Sequence, residues 1–303
     1  MTKKLLLTGA YSYSKEQLDK IEQLGWNITF VQNELEALDI DVREFDAVVC
    51  NALFLYNDIS EFHNLKMVQA TSAGLERLPV EYMKKHNILY YNARGVYSVP
   101  IAEWVVMSIL EIYKNARDFF RKQENHRWEK DRSLLELAGK KVCIVGYGNI
   151  GQEIAKRLSA FGTEITAVNR SQVEDPYVCT WIPLKRIDEV LFKSDIIILS
   201  IALTKETTNL MNTDRISHLK KGSMLINISR GEVLDEEALI VQLKNKRVKG
   251  VALDVFKKEP LPADSAFWKD DRVIISPHNS FVGEHVRDRM FEVIYNNLRN
   301  MKL

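Results

Sequence analysis

Three charged side chains in the second half of the 303-residue sequence have the types and positions that acid–base chemistry requires. Arg230, Glu259 and His278 stand in the segments NISRGEVLDEEAL, LDVFKKEPLP and SPHNS, each soon after an apolar, strand-like run. A guanidinium matches a carboxylate with two parallel hydrogen bonds and keeps its charge. An imidazole titrates near neutrality, and a carboxylate bonded to it favours its protonated form. Together the three could bind the carboxylate of an oxo acid and protonate its carbonyl oxygen.

Each of these residues has a simpler interpretation when it is considered alone. A histidine after Pro277 is usually a capped loop residue, a glutamate before Pro260 is usually exposed, and an arginine before Gly231 usually lies in a turn. The combination favours chemistry, because the carboxyl ends of consecutive parallel strands meet at the ligand-binding edge of an open α/β sheet. We therefore predict that the three form one catalytic group.

A glycine-rich turn precedes this group, in the segment KVCIVGYGNIGQEIAKRL. Gly146, Gly148 and Gly151 follow a strand-like run and open a helical pattern. In that context the first glycine makes the tight turn, the second admits a pyrophosphate, and the third lets helix and strand approach closely. The helix N-terminus adds free N–H groups and a positive dipole end. The sequence therefore predicts a dinucleotide-binding loop that includes Asn149 and Ile150.

The end of the next strand bears on which dinucleotide is used. An NAD-preferring site usually carries Asp or Glu about 20 residues beyond the glycine motif, bonded to the ribose hydroxyls. Here the strand ends in Asn169, Arg170 and Ser171. A carboxylate would repel a 2′-phosphate, whereas an arginine and a serine can bind one. The segment favours NADP, with NAD as the alternative if Arg170 is only a surface residue.

Strand-like and helical segments alternate along the whole chain. The first 95 residues hold five strand-like segments and no glycine-rich phosphate loop, and a second alternating series begins at residue 141. A long helical pattern spans residues 100–121 between them, and another closes the chain. Strands that alternate with helices predict parallel sheets covered on both faces. The chain is thus predicted to form two α/β domains, with a nucleotide site in the second.

Composition argues against several classes of function. Lys plus Arg number 42 and Asp plus Glu number 41, so the net charge of +1 provides no field that attracts a nucleic acid. No apolar run reaches the length of a membrane span, and the N-terminal run is too short for a signal peptide, which predicts a cytoplasmic protein. The six histidines show no metal-ligand spacing, so no metal is expected. The expected partner is a small molecule.

The motifs in combination resemble those of the D-isomer-specific 2-hydroxyacid dehydrogenases. The likeness rests on GYGNIG, the three segments above and NARGVYSVPIAEW, and it is clearest between residues 66 and 285. It implies that Arg230 binds the substrate, that His278 is the acid/base and that Glu259 is its partner. The remaining cofactor contacts that it implies are a nicotinamide carboxamide site at Asp254, backbone at Ile228 and Ser229, and an adenosine-side loop at Thr204 and Thr207.

The same resemblance implies a domain organisation. A Rossmann-type doubly wound parallel sheet domain, residues 99–281, is expected to be inserted into a flavodoxin-like α/β substrate domain, residues 1–98 plus 282–303. The substrate carboxylate is expected to meet backbone N–H groups near Gly74 and in the loop after the third strand, Asn51 to Tyr56. The side chains of Leu53 and Phe54 in that loop either line an apolar pocket or pack under it. Members of the family usually form homodimers through the nucleotide domain, so a homodimer is expected.

Two departures from the family pattern, and one difference from a related group of enzymes, narrow the expected activity. Asn169 replaces the usual acid, as in glyoxylate/hydroxypyruvate reductases, and Glu259 replaces the glutamine of the related formate dehydrogenases. The chain stops 25 residues after His278, which leaves no room for the regulatory extension of long phosphoglycerate dehydrogenases. We expect an NADPH-dependent reductase of a 2-oxo acid, with glyoxylate or hydroxypyruvate as favoured substrates. The alternatives are an NAD-dependent enzyme of the D-lactate or phosphoglycerate type and a non-catalytic NAD(P)-sensing binding protein.

Overall fold

The computed structural model describes residues 3–301 and divides them into two compact units. The first unit runs to Tyr97 and resumes at Gly283, and the second extends from Ser98 to Val282. Each unit is built on one parallel sheet. None of the helices between residues 3 and 301 combines the length and the apolar character that a bilayer crossing demands.

Five parallel strands form the sheet of the first unit. In chain order they are β1 (Lys3–Thr8), β2 (Trp26–Val31), β3 (Ala47–Cys50), β4 (Met67–Ala70) and β5 (Leu89–Tyr91). Their spatial order is β2-β1-β3-β4-β5, the doubly wound order of flavodoxin-like domains. Two helices of this part of the chain are α1 (Lys15–Glu22) and α2 (Val80–Lys85). The five strand-like runs in the first half of the sequence are therefore confirmed as strands.

Buried side chains of the first sheet alternate between its two faces. Leu5 and Leu7 belong to one apolar cluster, whereas Leu6, which lies between them on β1, belongs to another. Successive residues of a strand point to opposite faces, so both faces of this sheet are covered by apolar groups.

Seven parallel strands form the sheet of the second unit. They are β6 (Lys141–Val145), β7 (Glu164–Asn169), β8 (Thr180–Pro183), β9 (Ile196–Leu199), β10 (Met224–Asn227), β11 (Gly250–Leu253) and β12 (Val273–Ile275). Their spatial order is β12-β11-β10-β9-β6-β7-β8, so the order reverses beside β6, where dinucleotides bind in Rossmann-type sheets. Six of the seven strands match predicted runs. The sequence pattern missed β8, a four-residue edge strand that ends in a proline.

Six helices belong to the second unit. They are α3 (Ser98–Tyr113), α4 (Ala116–Glu124), α5 (Asn149–Ser159), α6 (Asp188–Leu191), α7 (Thr213–His218) and α8 (Glu236–Lys244). The prediction of a single helix over residues 100–121 is wrong, because the helix is interrupted between α3 and α4. Asn115 has a φ of 51° there, in the left-handed region that asparagine tolerates better than most residues.

The chain returns to the first unit as helix α9 (Val286–Asn300). Four side chains at helical spacing are buried on it: Met290, Phe291, Ile294 and Leu298. They join the same apolar cluster as Leu5 and Leu7, so α9 covers that face of the first sheet. Asn297 Nδ2 also donates to Gln69 Oε1 at 2.6 Å, which links α9 to strand β4.

Candidate active site

The glycine turn after β6 leaves room for a ligand at one of its three glycines. A Cβ atom on Gly146, whose φ is 92°, would lie 2.6 Å from the carbonyl oxygen of Ser200. A Cβ on Gly151 would lie 2.7 Å from the carbonyl oxygen of Gly146. A Cβ on Gly148 would meet nothing within 4 Å. The first and third glycines are therefore required by packing, whereas the space at Gly148 is what a pyrophosphate needs.

Helix α5 begins directly after this turn and directs the backbone N–H groups of its first turn toward it. Asn149 and Ile150 form its first two positions, and its N-cap residue, Gly148, makes no side-chain capping bond. Backbone N–H groups at a helix N-terminus carry a partial positive charge and bind phosphate oxygens. Together with the space at Gly148, these donors fit a dinucleotide.

The segment after β7 is joined to the glycine turn by Asn169. Its Oδ1 accepts from the backbone N of Tyr147 at 3.4 Å, and its Nδ2 donates to the carbonyl oxygen of Ser171 at 3.2 Å. Arg170, the next residue, is exposed. Its Nη2 lies 3.3 Å from Thr204 Oγ1 and 3.3 Å from Glu206 Oε2, both on the loop after β9. This end of the site is thus neutral at Asn169 and cationic at Arg170.

Thr207 shapes the loop after β9 from within. Its side chain is fully buried, and its hydroxyl donates to the carbonyl oxygen of Ala202 at 2.7 Å and accepts from the backbone N of Thr204 at 2.8 Å. Ser200 Oγ donates to the carbonyl oxygen of Gly146 at 2.6 Å, which joins this loop to the glycine turn. Thr207 therefore holds the conformation of the predicted adenosine-side loop. Thr204, not Thr207, is the residue that contacts Arg170.

The loop that carries Arg230 is held by Asn227, a residue that the sequence analysis missed. Asn227 is fully buried at the end of β10. Its Oδ1 accepts from the backbone N and the hydroxyl of Ser229 at 3.0 and 2.7 Å, and its Nδ2 donates to the carbonyl oxygen of Arg230 at 3.0 Å. A buried amide must find partners, so an asparagine that ends an apolar strand was the available signal. Ile228 and Ser229, which lie between Asn227 and Arg230 in the chain, are buried, and Arg230 itself is half-buried.

Gly231 brings the Arg230 loop against the loop that carries Glu259. A Cβ atom on Gly231 would lie 2.0 Å from the carbonyl carbon of Phe256 and 2.1 Å from the backbone N of Lys257. No side chain fits at that distance, so the sequence Arg-Gly is required for the close approach. In the sequence, Gly231 was considered only as the neighbour of an arginine that usually lies in a turn.

Asp254 holds the turn that carries His278. Its side chain is buried after β11, and its carboxylate accepts from the backbone N of Asn279 at 2.8 Å and of Ser280 at 3.0 Å. The hydroxyls of Ser276 and Ser280 donate to the same carboxylate. The backbone N of His278 donates to the carbonyl oxygen of Asp254 at 2.8 Å. Asp254 thus fixes the imidazole-bearing turn, whereas its contact with a nicotinamide carboxamide stays a prediction.

Glu259 and His278 are bonded to each other. The distance between Glu259 Oε2 and His278 Nδ1 is 2.9 Å, and both side chains are partly exposed. Glu259 Oε1 accepts from the backbone N of Phe256 at 3.0 Å, which orients the carboxylate. Since Nδ1 is bonded to the carboxylate, Nε2 is the nitrogen left to exchange a proton with a substrate.

The structure narrows the predicted substrate residues of the first unit in two ways. The side chain of Leu53 is fully buried in an apolar cluster, so it cannot line a ligand pocket. The backbone N–H groups of Asn51 and Ala52 are already bonded, because the buried carboxylate of Glu34 accepts from them at 3.1 and 2.6 Å. Sequence reasoning missed Glu34. Its only signal was a carboxylate soon after β2, and its partners lie in a different loop.

Phe54 and Gly74 remain available on the first unit. Phe54 is half-buried, with its ring centroid 5.4 Å from that of Phe62 in an edge-on arrangement. Gly74 is also half-buried, and its carbonyl oxygen accepts from Ser72 Oγ at 2.8 Å. In the stretch 3–301 no three His, Cys, Asp or Glu side chains are grouped as a metal ion requires.

Several known proteins resemble this chain over most of its length. The family model described as "D-isomer specific 2-hydroxyacid dehydrogenase, NAD binding domain" matches residues 106–280. A glyoxylate reductase from Thermofilum pendens is 34% identical over 277 residues, which cover 87% of this chain and 80% of that protein. A D-3-phosphoglycerate dehydrogenase from Bacillus subtilis is 32% identical over 261 residues, and this chain spans 49% of its length.

A solved structure has the same fold over nearly the whole chain. The structure of a D-isomer specific 2-hydroxyacid dehydrogenase family protein from Aeromonas salmonicida superposes with a TM-score of 0.81 at 25% sequence identity. The match covers 98% of this chain and 94% of that one. The family and the fold class predicted from the motifs are confirmed. The chain belongs to the D-isomer specific 2-hydroxyacid dehydrogenases, with an NAD-binding domain in its second unit.

Proposed function

We propose that this protein reduces small 2-oxo acids to D-2-hydroxy acids, with NADPH as the preferred hydride donor. The observation that carries the proposal is the bonded pair of Glu259 and His278, 2.9 Å apart, in a domain that matches the family's NAD-binding domain. The arginine that a 2-oxo acid requires follows the neighbouring strand β10. Family membership makes an enzyme the first hypothesis, and the intact acid–base pair supports it.

The chain's own residues would divide the reaction between them. Arg230 binds the substrate carboxylate with its planar guanidinium and polarises the adjacent carbonyl. A bound reduced nicotinamide supplies the hydride that adds to the carbonyl carbon. His278 gives the proton on Nε2 to the carbonyl oxygen, so that the alcohol forms without a free alkoxide. Glu259, bonded to Nδ1, holds the ring in place and stabilises the imidazolium before that transfer.

The preference for NADPH rests on the residues after β7. Asn169 offers no carboxylate to the ribose hydroxyls, and Arg170 supplies a cation beside it. A 2′-phosphate gains from this cation, and no acid at the strand end repels it. NADH is expected to bind more weakly and still support turnover.

Glyoxylate and hydroxypyruvate are the proposed substrates. The relative from Thermofilum pendens is named a glyoxylate reductase, which supports a small oxo acid. We further propose that the first unit binds the substrate, with backbone N–H groups near Gly74 as its donors and Phe54 as an apolar contact.

A turnover assay with purified protein tests this proposal. NADPH is mixed with glyoxylate or hydroxypyruvate, and the loss of absorbance at the reduced-nicotinamide band is followed. Hydroxypyruvate also reports stereochemistry, because its product is chiral, and chiral chromatography should find the D form alone. Binding of NADPH without turnover on a dozen 2-oxo acids would favour the dinucleotide sensor instead.

We also propose that two copies associate through the nucleotide domain. Helices α3, α4 and α5 border an open groove of about 1150 Å³, and Met107, Phe120 and Phe161 expose apolar surface there. An exposed apolar patch of this kind is typical of a protein interface. Sedimentation should give a dimer for the wild type and a monomer for Phe120→Glu. A monomeric wild type at micromolar concentration would rule out this association.

A further inference from the structure

An ion pair joins the loops that follow β7 and β9, the two strands beside β6 and its glycine turn. Strands β7 and β9 both pair with β6, one on each side. Arg170 follows β7, Glu206 lies in the loop after β9, and Arg170 Nη2 is 3.3 Å from Glu206 Oε2. A contact between the two flanking loops must pass over the end of β6, where the glycine turn begins. The pair therefore lies across the predicted binding site of the dinucleotide.

This ion pair is exposed and easily opened. The Arg170 side chain is 58% exposed and that of Glu206 is 75% exposed. Arg170 Nη2 also lies 3.3 Å from Thr204 Oγ1, so its second contact is a neutral hydroxyl on the same loop. Pairs between exposed charges contribute little and are screened by salt. A ligand with more negative charge can thus take the arginine from the glutamate.

The two cofactors differ in the charge that they bring to this position. NADPH carries a 2′-phosphate of nearly two negative charges, and NADH carries a neutral hydroxyl at the same atom. Arg170 is the natural partner for the phosphate, but Glu206 already occupies the guanidinium and would repel the phosphate as a like charge. NADH meets neither the competition nor the repulsion.

We infer that Glu206 is a specificity-determining residue, which competes with the 2′-phosphate for Arg170 and so narrows the preference for NADPH over NADH. The inference rests on the proposed dinucleotide site and goes beyond it, because it assigns the opposing charge. In most sites of this kind the carboxylate that disfavours NADP comes from the end of the second strand. Here that position is Asn169, and the carboxylate comes from the loop after β9 instead.

The test is to measure dissociation constants for NADPH and NADH by titration of the full-length protein, with reduced-nicotinamide fluorescence as the readout. Glu206→Gln should tighten NADPH up to about fivefold, the most that an exposed ion pair usually contributes, and leave NADH unchanged. The gain should shrink when the salt concentration is raised, because the contact is exposed. Glu174→Gln is the matched control: it removes the same charge from an exposed side chain after β7, whose carboxylate contacts Gln172 Nε2 at 3.2 Å.

The double variant Arg170→Gln/Glu206→Gln separates competition from general charge. If Glu206 acts through Arg170, the gain in NADPH affinity should be much smaller in the Arg170→Gln background. An equal gain in both backgrounds would overturn the competition, and equal effects of Glu206→Gln and Glu174→Gln would overturn the role of Glu206. Failure of the wild type to bind either dinucleotide would instead contradict the proposed function.

Discussion

The two sides of the second sheet organise their loops in opposite ways. After β10, β11 and β12, buried side chains tie the loops together: Asn227 bonds its own turn, and Asp254 bonds the turn of His278. Between the loops after β7 and β9, the exposed Arg170 makes the contacts, with Glu206 and with Thr204. The first side carries the groups proposed for proton transfer, and the second carries the charges proposed for cofactor choice.

The difference follows from what each task requires. Proton transfer requires the reacting groups to be placed to within a few tenths of an ångström. The groups that perform it therefore need support from buried side chains whose hydrogen bonds are all made. Discrimination of a phosphate from a hydroxyl depends on charge, which acts over longer distances and tolerates movement. A buried network is costly to alter, whereas exposed charges can be exchanged with little loss of stability.

The largest expected effect is on the catalytic side, at His278. His278→Asn should lower kcat by about 10²–10⁴-fold, because the amide cannot donate the proton that the imidazole supplies. Dinucleotide affinity should be retained, since the glycine turn is untouched. The measurement is steady-state turnover of the oxo acid, with a fluorescence titration of NADPH as the control. Turnover close to that of the wild type would remove His278 from the mechanism.

Gly231 tests whether the catalytic loops depend on their close approach. Gly231→Ala places a Cβ within 2.0 Å of the carbonyl carbon of Phe256, so the two loops must move apart. We expect the free energy of unfolding to fall by about 2 kcal/mol and kcat to fall by roughly tenfold or more. Urea denaturation and steady-state kinetics measure the two effects.

Gly148→Ala is the matched control for that substitution. Its Cβ would meet nothing within 4 Å, and the φ of −98° at Gly148 suits alanine. Its stability should therefore match that of the wild type, while dinucleotide binding weakens, because the new methyl group occupies the space proposed for the pyrophosphate. Equal losses of stability at the two glycines would contradict the distinction between them.

The sequence was sufficient for those features whose signal is local. The glycine turn is a short pattern between a strand and a helix, and Arg230, Glu259 and His278 each follow a strand of their own. Parallel strands of one sheet end at one edge, so topology alone brings such residues to the same side. Alternation of apolar runs with helical patterns likewise predicted both sheets, except for the short edge strand β8.

The features that the sequence did not reveal depend on contacts between distant segments. Glu34 bonds the backbone after β3, and Glu206 reaches Arg170 from another loop. Leu53 was predicted to contact substrate, but its burial depends on the cluster around it. The break at Asn115 depends on a backbone conformation that many asparagines do not adopt. None of these follows from residue type or from spacing.

Substitution of the exposed Arg170 should have a smaller effect than those above, and on cofactor affinity. Arg170→Ala should weaken NADPH about tenfold, because a charge-assisted contact with the 2′-phosphate is lost, and should leave NADH within about twofold. Arg186→Ala is a suitable control, since Arg186 is exposed on the same unit and pairs with Glu189 instead. Titration with both cofactors measures the ratio. Equal weakening of the two cofactors would contradict the assignment of Arg170 to the phosphate.

The smallest effect, and one that is first measured on the wild-type protein, concerns the three cysteines. Cys143 lies on β6 in the buried sheet, and burial raises the pKa of its thiol to about 12. Burial also raises the pKa of the Cys50 thiol, whereas Cys179, just before the edge strand β8, is exposed. Since the thiolate is the reactive form, a disulfide reagent at pH 8 should label one thiol rapidly in the native protein and three in denaturant. Cys179→Ser should abolish the rapid phase. Rapid labelling of two or three thiols in the native protein would mean that the buried strands open readily, and the contrast between a rigid sheet and an exposed edge would then fail.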